Sequence, residues 1–241
     1  MAFKSWRGDI GVIKPTHRPG SLEEFIRLMP EGIGIIPLFL GITRGTPDEF
    51  KEAINAYEAK IAELAELEVD LIHPEGAPPF MYQGFEGEKT LISSWEAKYG
   101  IQMVTSGQVQ VEALSAMNIR NVVVASYSNN ETNDMVSTYL GQAGFNVLEN
   151  AGLAVPFDQA GNLSHHQVYA HTKKAVLRHP ECDGVLLFGS GWRSLDAIEL
   201  LEQDLELPVV HPVPARVWAI QKRLRVNEAV EGFGRLLEEM P

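Results

Sequence analysis

Groups able to move or hold a proton stand at the ends of short apolar runs in this chain. His73 and Glu75 close Val69-Asp70-Leu71-Ile72, Tyr127 follows Asn121–Ala125, and His211 ends Pro208-Val209-Val210. In a closed, desolvated cleft a carboxylate or an imidazole reaches the near-neutral pKa that acid–base catalysis needs. Glu75 or His211 could then take or give a proton at a carbon beside a carboxylate, with Tyr127 as a third candidate. The same residues also have a structural reading. A strand-end histidine is often a hydrogen-bonded packing group, and a loop glutamate is usually solvated.

Two small-residue segments accompany these groups. Gly76-Ala77-Pro78 and Gly189-Ser190-Gly191 read as strand-to-helix turns, where backbone N–H groups favour a carboxylate or enolate. Pro78 and Pro79 remove two donors from the first turn, and glycines also serve simply to permit tight turns. Ser190 reads either as a donor to an oxyanion or as the neighbour of a helix N-cap. Pro15, Thr16, Tyr82 and Ser128 complete the expected contact set, with Trp192 walling an aryl or alkyl pocket; Trp218 reads as core. His17, His73, Glu75 and His211 carry zinc- or iron-type ligand chemistry. No tight spacing such as HExxH accompanies them, and no metal or cofactor is expected. His165-His166 lies in a polar segment and reads as a loop or helix cap.

These turns need a scaffold, and the apolar pattern supplies one. Short apolar runs alternate with stretches of helical period, the grammar of βαβ units and a mainly parallel sheet. Strands are expected at Ile10–Ile13, Ile33–Leu38, Val69–His73 and Gln102–Val104, then at Asn121–Ala125, Phe145–Leu148, Gly184–Phe188 and Pro208–His211. Helices are expected over Pro47–Leu67, up to Trp95, and over Thr132–Ala143, His166–Arg178, Ser194–Leu205 and Ala215–Leu224. Thr46-Pro47-Asp48-Glu49 opens the first of these with a hydroxyl cap, proline and acidic residues. Three pairs match at a spacing of roughly 110 residues, which suggests an internal duplication: Ile10 with Val122, Leu71–Gly76 with Leu186–Gly191, and Val104–Gly107 with Val210–Val213. Facing halves would bring strand ends together in one cleft.

Composition narrows the function classes. With 241 residues, 45% hydrophobic and 22% charged, the chain can bury a core of one large or two compact domains. A net charge of −12 with no basic run argues against nucleic acid and anionic membranes. No stretch approaches the ~20 apolar residues of a membrane span. Residues 1–9 carry no apolar signal core, and the cytoplasm is the expected compartment. The single cysteine, Cys182, permits neither an intrachain disulfide nor a thiolate zinc cage. A homo-oligomer stays open.

Taken in order, these segments resemble the aspartate/glutamate racemase superfamily, particularly its arylmalonate decarboxylase and maleate isomerase branch, over nearly the whole chain. The most specific stretch is Asp183-Gly184-Val185-Leu186-Leu187-Phe188-Gly189-Ser190-Gly191-Trp192-Arg193-Ser194-Leu195-Asp196-Ala197-Ile198, continued by Leu207–Val210. Gly11–Pro15 and Gly76–Gly84 also look like their counterparts. The resemblance implies an α/β fold of two Rossmann-like domains with mainly parallel sheets, related by a pseudo-twofold, with the site between them. One domain would hold residues 1–106 and a returning 215–241, the other 107–214.

Family chemistry places a cysteine at each of two mirror positions. Racemases use both as acid and base, maleate isomerase-like enzymes use one as nucleophile, and arylmalonate decarboxylase keeps the second as proton donor. Here those positions fall on Gly76 and Gly189, and Cys182 precedes the strand before Gly189. Thiol-based racemisation and cysteine addition to an alkene are therefore excluded. Tyr127 resembles the family tyrosine that helps hold the substrate carboxylate, although residues 127–133 run one residue longer before the asparagine. The resemblance implies cofactor-independent decarboxylation or isomerisation of a small carboxylate or dicarboxylate through an enolate-like intermediate. Two rivals are a metal-dependent lyase or hydrolase on the same scaffold and a non-catalytic carboxylate-binding protein.

Overall fold

The computed structural model describes residues 5–241; the reading of residues 1–4 lies outside the described residues. Capping chemistry and apolar runs set the local elements. The first half runs β1 (Gly8–Lys14), α1 (Gly20–Leu28), β2 (Ile33–Phe39), α2 (Pro47–Glu66), β3 (Leu71–Pro74), α3 (Ala77–Met81), α4 (Phe85–Tyr99) and β4 (Gln102–Met103), and α5 (Ser106–Ala116) leads out of it. The second runs β5 (Asn121–Ser126), α6 (Asn130–Gln142), β6 (Asn146–Gly152), a 3-10 turn (Phe157–Asn162), α7 (His165–Val176), β7 (Gly184–Phe188), a second 3-10 turn (Leu195–Ala197), α8 (Ile198–Leu205) and β8 (Val209–Val210). Helices α9 (Pro212–Arg223) and α10 (Arg235–Glu239) close the chain.

Each half is a four-stranded parallel sheet, in the orders β2-β1-β3-β4 and β6-β5-β7-β8. The two orders are the same, so β1 corresponds to β5, β3 to β7 and β4 to β8, as the three sequence matches require. The matched segments after β4 and β8 both start helices: Thr105 caps α5 and His211 caps α9. These two helices pack on each other where the halves meet. One continuous apolar cluster spans both sheets, while a second lies under α2 and α4.

Most elements fall where the apolar pattern puts them, with Gly184–Phe188 matching end to end. Thr46 caps α2 as expected, its Oγ1 accepting from the Glu49 N–H at 3.3 Å. The strand expected at Phe145–Leu148 begins at Asn146 and runs on to Gly152. Helices α1, α3, α5 and α10 are not among the expected elements. Ser164 caps α7, so His165 and His166 form its first turn.

Candidate active site

Each sheet reverses its winding between its two central strands, and the crevice at such a switch point opens at the carboxyl ends. A single cavity of about 340 Å³ occupies that place between the halves. Pro15 and Thr16 reach it from β1, and Glu75, Gly76 and Ala77 from β3. Tyr127 and Ser128 come from β5, and Gly189, Ser190, Gly191 and Trp192 from β7. The two mirror positions therefore share one cavity. Tyr82 and His211 do not line it.

The two turns differ in what they offer an anion. The Gly76 N–H is already donated to Ser106 Oγ at 3.0 Å, and the Glu75 N–H to the Ile13 carbonyl at 2.9 Å. With proline at 78 and 79, only Ala77 keeps a donor without an acceptor among the described residues of the first turn, so the expected cradle at Gly76 is largely closed. Among the described residues, the backbone N–H groups of Gly189, Ser190, Gly191 and Trp192 donate to no protein acceptor. Gly189 adopts φ +88°, a left-handed conformation that glycine takes without a Cβ penalty. The buried Trp192 indole Nε1 has no partner either, and its ring meets Tyr127 edge-on with centroids 5.8 Å apart. A Cβ added at Gly191 would lie 2.9 Å from the Tyr127 hydroxyl, so this phenol hangs over the turn. Burial pushes the Tyr127 pKa up, against the pull of Arg18, and keeps the hydroxyl protonated as a donor.

Behind the first turn Glu75 sits between two cations, Lys14 and Arg216, that sequence reasoning missed. Lys14 Nζ donates to Glu75 Oε1 at 3.0 Å and to Ser21 Oγ at 2.7 Å, and Arg216 Nη1 stands 2.7 Å from Glu75 Oε2. Lys14, Glu75 and Arg216 are all buried. Burial would push the Glu75 carboxyl up, but Arg216, Lys14 and His73, with the Lys14 hydrogen bond, outweigh it and hold the pKa at about 2. Burial in turn lowers the Lys14 pKa despite Glu75. Two cations against one carboxylate leave the cluster net positive within a chain of net charge −12. Glu75 is thus a fixed anion, where a near-neutral acid was expected.

Helix α1 supplies three further cavity residues, Gly20, Ser21 and Glu24, the last two with polar side chains. The spacing of Ser21 and Glu24, together with Phe25 and Leu28 buried on the adjoining face, is a helical period that could have revealed both side chains. Arg18 also faces the cavity, its guanidinium carbon 3.9 Å from the Phe157 ring centroid, so a cation of the first half is roofed by an aromatic of the second.

His211 is buried beside the cavity, with both ring nitrogens engaged. Nδ1 accepts from the Val213 N–H at 3.0 Å, which assigns the proton to Nε2, 2.7 Å from Ser194 Oγ. Burial, helped by Arg216, lowers its pKa to about 3. Neither His73 nor His17 lines the cavity: His73 Nδ1 stands 2.7 Å from the Val104 carbonyl, and His17 packs on Phe39. Tyr82 packs its ring against Phe50. The convergence of His17, His73, Glu75 and His211 is therefore not formed, and among the described residues no group of three or more His, Cys, Asp or Glu could hold a metal ion. Cys182 is buried before β7, its Sγ donating to the Gly184 carbonyl at 3.1 Å. Trp218 is core as expected, and no helix among the described residues is long and apolar enough to cross a membrane.

Comparison with known proteins places this arrangement. A family model described as arylmalonate decarboxylase matches residues 10–237. Arylmalonate decarboxylase of Bordetella bronchiseptica is 24% identical over 232 residues, 95% of this chain and 96% of that protein. Among solved structures, the maleate isomerase Iso from Pseudomonas putida S16 superimposes with a TM-score of 0.90 at 17% identity, covering 97% of this chain and 99% of that one. A liganded glycine-to-cysteine, cysteine-to-serine double mutant of arylmalonate decarboxylase gives 0.89 at 22% identity, covering 96% and 99%.

Proposed function

Because the chain belongs to the arylmalonate decarboxylase family, we propose that it is an enzyme acting on a small carboxylate or dicarboxylate, by decarboxylation or isomerisation through an enolate-like intermediate, without a thiol and without a cofactor. The observation that carries this reading is the turn Gly189–Trp192, whose residues line a cavity walled by both halves and whose N–H groups have no protein acceptor among the described residues. Donors fixed in place before charge develops need no reorganisation when it does. Removing one such donor typically costs about 3 kcal/mol of transition-state stabilisation.

In this scheme the turn and the Tyr127 hydroxyl hold the oxygen that gains charge. The Lys14–Glu75–Arg216 cluster draws the anionic substrate in, with Glu75 orienting the two cations. Phe50, Phe157, Phe188 and Trp192 give the cavity apolar walls. A carboxylate pressed against them loses hydration, which favours its departure as neutral CO2. Decarboxylation is the favoured branch. A cysteine-adduct isomerisation needs a thiol at the cavity, and Cys182 is not among the lining residues.

The test is a panel of phenylmalonate, 2-methyl-2-phenylmalonate and maleate, with products read by mass spectrometry, with and without chelator. CO2 release that survives chelation supports the proposal. Turnover abolished by chelator would favour the metal-dependent rival, and thermal stabilisation by all three compounds with no product would favour a non-catalytic binder.

A further inference from the structure

The decarboxylase reading leaves open which group delivers the proton that replaces CO2, and inference here rests on that reading. We propose that Glu24 is this proton donor, a catalytic carboxylic acid carried into the cavity by α1.

Geometry makes the case first. Ser21 and Glu24 stand one helical turn apart on α1, and both line the cavity. Ser21 is pinned there from three sides: Lys14 donates to its Oγ, that hydroxyl donates to Glu75, and Arg216 donates to its carbonyl. This fixes the face that α1 turns inward. Glu24 itself, half-buried, forms no hydrogen bond or ion pair among the described residues, although it lies within the field of Arg216. Such a carboxyl is free to meet a substrate.

Two carboxyls thus share the cavity, and their surroundings push them apart, which is how acid and anion roles separate in one site. Glu75 is clamped by two cations near pKa 2. Burial raises Glu24 to about 7, against Arg216 from α9 and Arg27 on α1, and with Asp196 and Glu23 pushing the same way as burial. An acid near the working pH is half protonated and hands its proton on readily.

The step balances as follows. The bond from the α-carbon to the departing carboxylate breaks, its electron pair stays on that carbon as an enediolate held at the Gly189–Trp192 turn, and CO2 leaves. The Glu24 O–H bond breaks and its proton forms the new C–H bond. Solvent water then reprotonates the Glu24 carboxylate.

The experiment measures decarboxylation of 2-methyl-2-phenylmalonate by wild type, Glu24→Gln and the exposed neighbour Glu23→Gln, with pH profiles and product enantiomer ratios. General acid catalysis contributes about 100- to 10,000-fold, so a kcat loss of that order is expected for Glu24→Gln, with none for Glu23→Gln. The wild-type rate should fall above a pH of about 7, and the residual rate of Glu24→Gln should lack this limb and give a product closer to racemic. Glu24→Asp should recover part of the rate. If wild type turns over and Glu24→Gln keeps its rate, its alkaline limb and its enantiomer ratio, Glu24 is not the donor while the decarboxylase reading stands. If wild type decarboxylates none of the malonates, both fall.

Discussion

Arg216, on the last long helix, holds Nη1 2.7 Å from Oε2 of Glu75 at the end of β3, with both side chains buried. Lys14 closes on the other carboxylate oxygen at 3.0 Å. Removing the shared anion strands two buried cations. Glu75→Gln is therefore expected to cost about 3–5 kcal/mol of stability, the range found when one partner of a buried pair is deleted. Urea denaturation checks this, and adding Lys14→Met should recover part of the loss by removing one stranded charge. Unchanged stability in Glu75→Gln would mean that the cluster is solvated and not a clamp.

A second expectation concerns His211. Its imidazole caps α9 through Val213 and meets Ser194, so His211→Ala deletes a cap and a buried hydrogen bond. A loss of about 1–2 kcal/mol is expected, read as a lower Tm. A variant of unaltered Tm that has lost turnover would return the imidazole to the proton carriers.

These residues mark where the sequence was legible. Strands such as Gly184–Phe188 are uninterrupted apolar runs bounded by turn residues, and buried parallel strands show this pattern. The strand-end turns followed from topology, since a switch point needs no side-chain detail. Helix α5 was opaque because it is buried between the halves, with Ser106, Gly107 and Gln110 inside, and so lacks a polar face. Lys14 and Arg216 were opaque for a different reason. A charge beside Pro15 or within Ala215-Arg216-Val217 reads as solvated until the fold brings Glu75 between them. His211 looked like a proton carrier because its partners, Ser194 and the Val213 N–H, are set by tertiary packing and a cap.

The second mirror position gives a third prediction. A Cβ on Gly189 would stand 2.7 Å from Cε1 of Tyr127, on a backbone at φ +88°. Gly189→Cys should lower stability by roughly 2–4 kcal/mol, combining left-handed strain with overpacking. It should also lower turnover, because the Tyr127 ring must move from over the turn. Ser190→Cys, which meets no such backbone demand, is the matched control and should change stability by less than about 0.5 kcal/mol. A Gly189→Cys protein as stable and as active as wild type would show that the ring yields freely.

The pH dependence of stability follows from the same groups, which contribute with opposite signs. Burial lowers His73 to about 4 and His211 to about 3, below the ordinary 6.5, so both are neutral in the fold and protonated in the unfolded chain under mild acid. Their contribution is intact above pH 6.5 and declines as pH falls toward those values; the depressed Glu75 carboxyl adds a further loss from 4.5 down to about 2. Glu24 acts in reverse. Its raised pKa means that the folded state binds the proton more tightly, so stability is full below 4.5 and falls as pH rises through about 7. At about 1.4 kcal/mol per unit, discounted for partial exposure, the Glu24 loss between pH 4.5 and about 7 is roughly 2 kcal/mol. Glu24→Gln should therefore gain stability relative to wild type, read as Tm, as pH rises from 4.5 to about 7, with the histidine and Glu75 contributions left in place. A stability difference between the two proteins that stays constant across that window would remove the raised acid from the cavity.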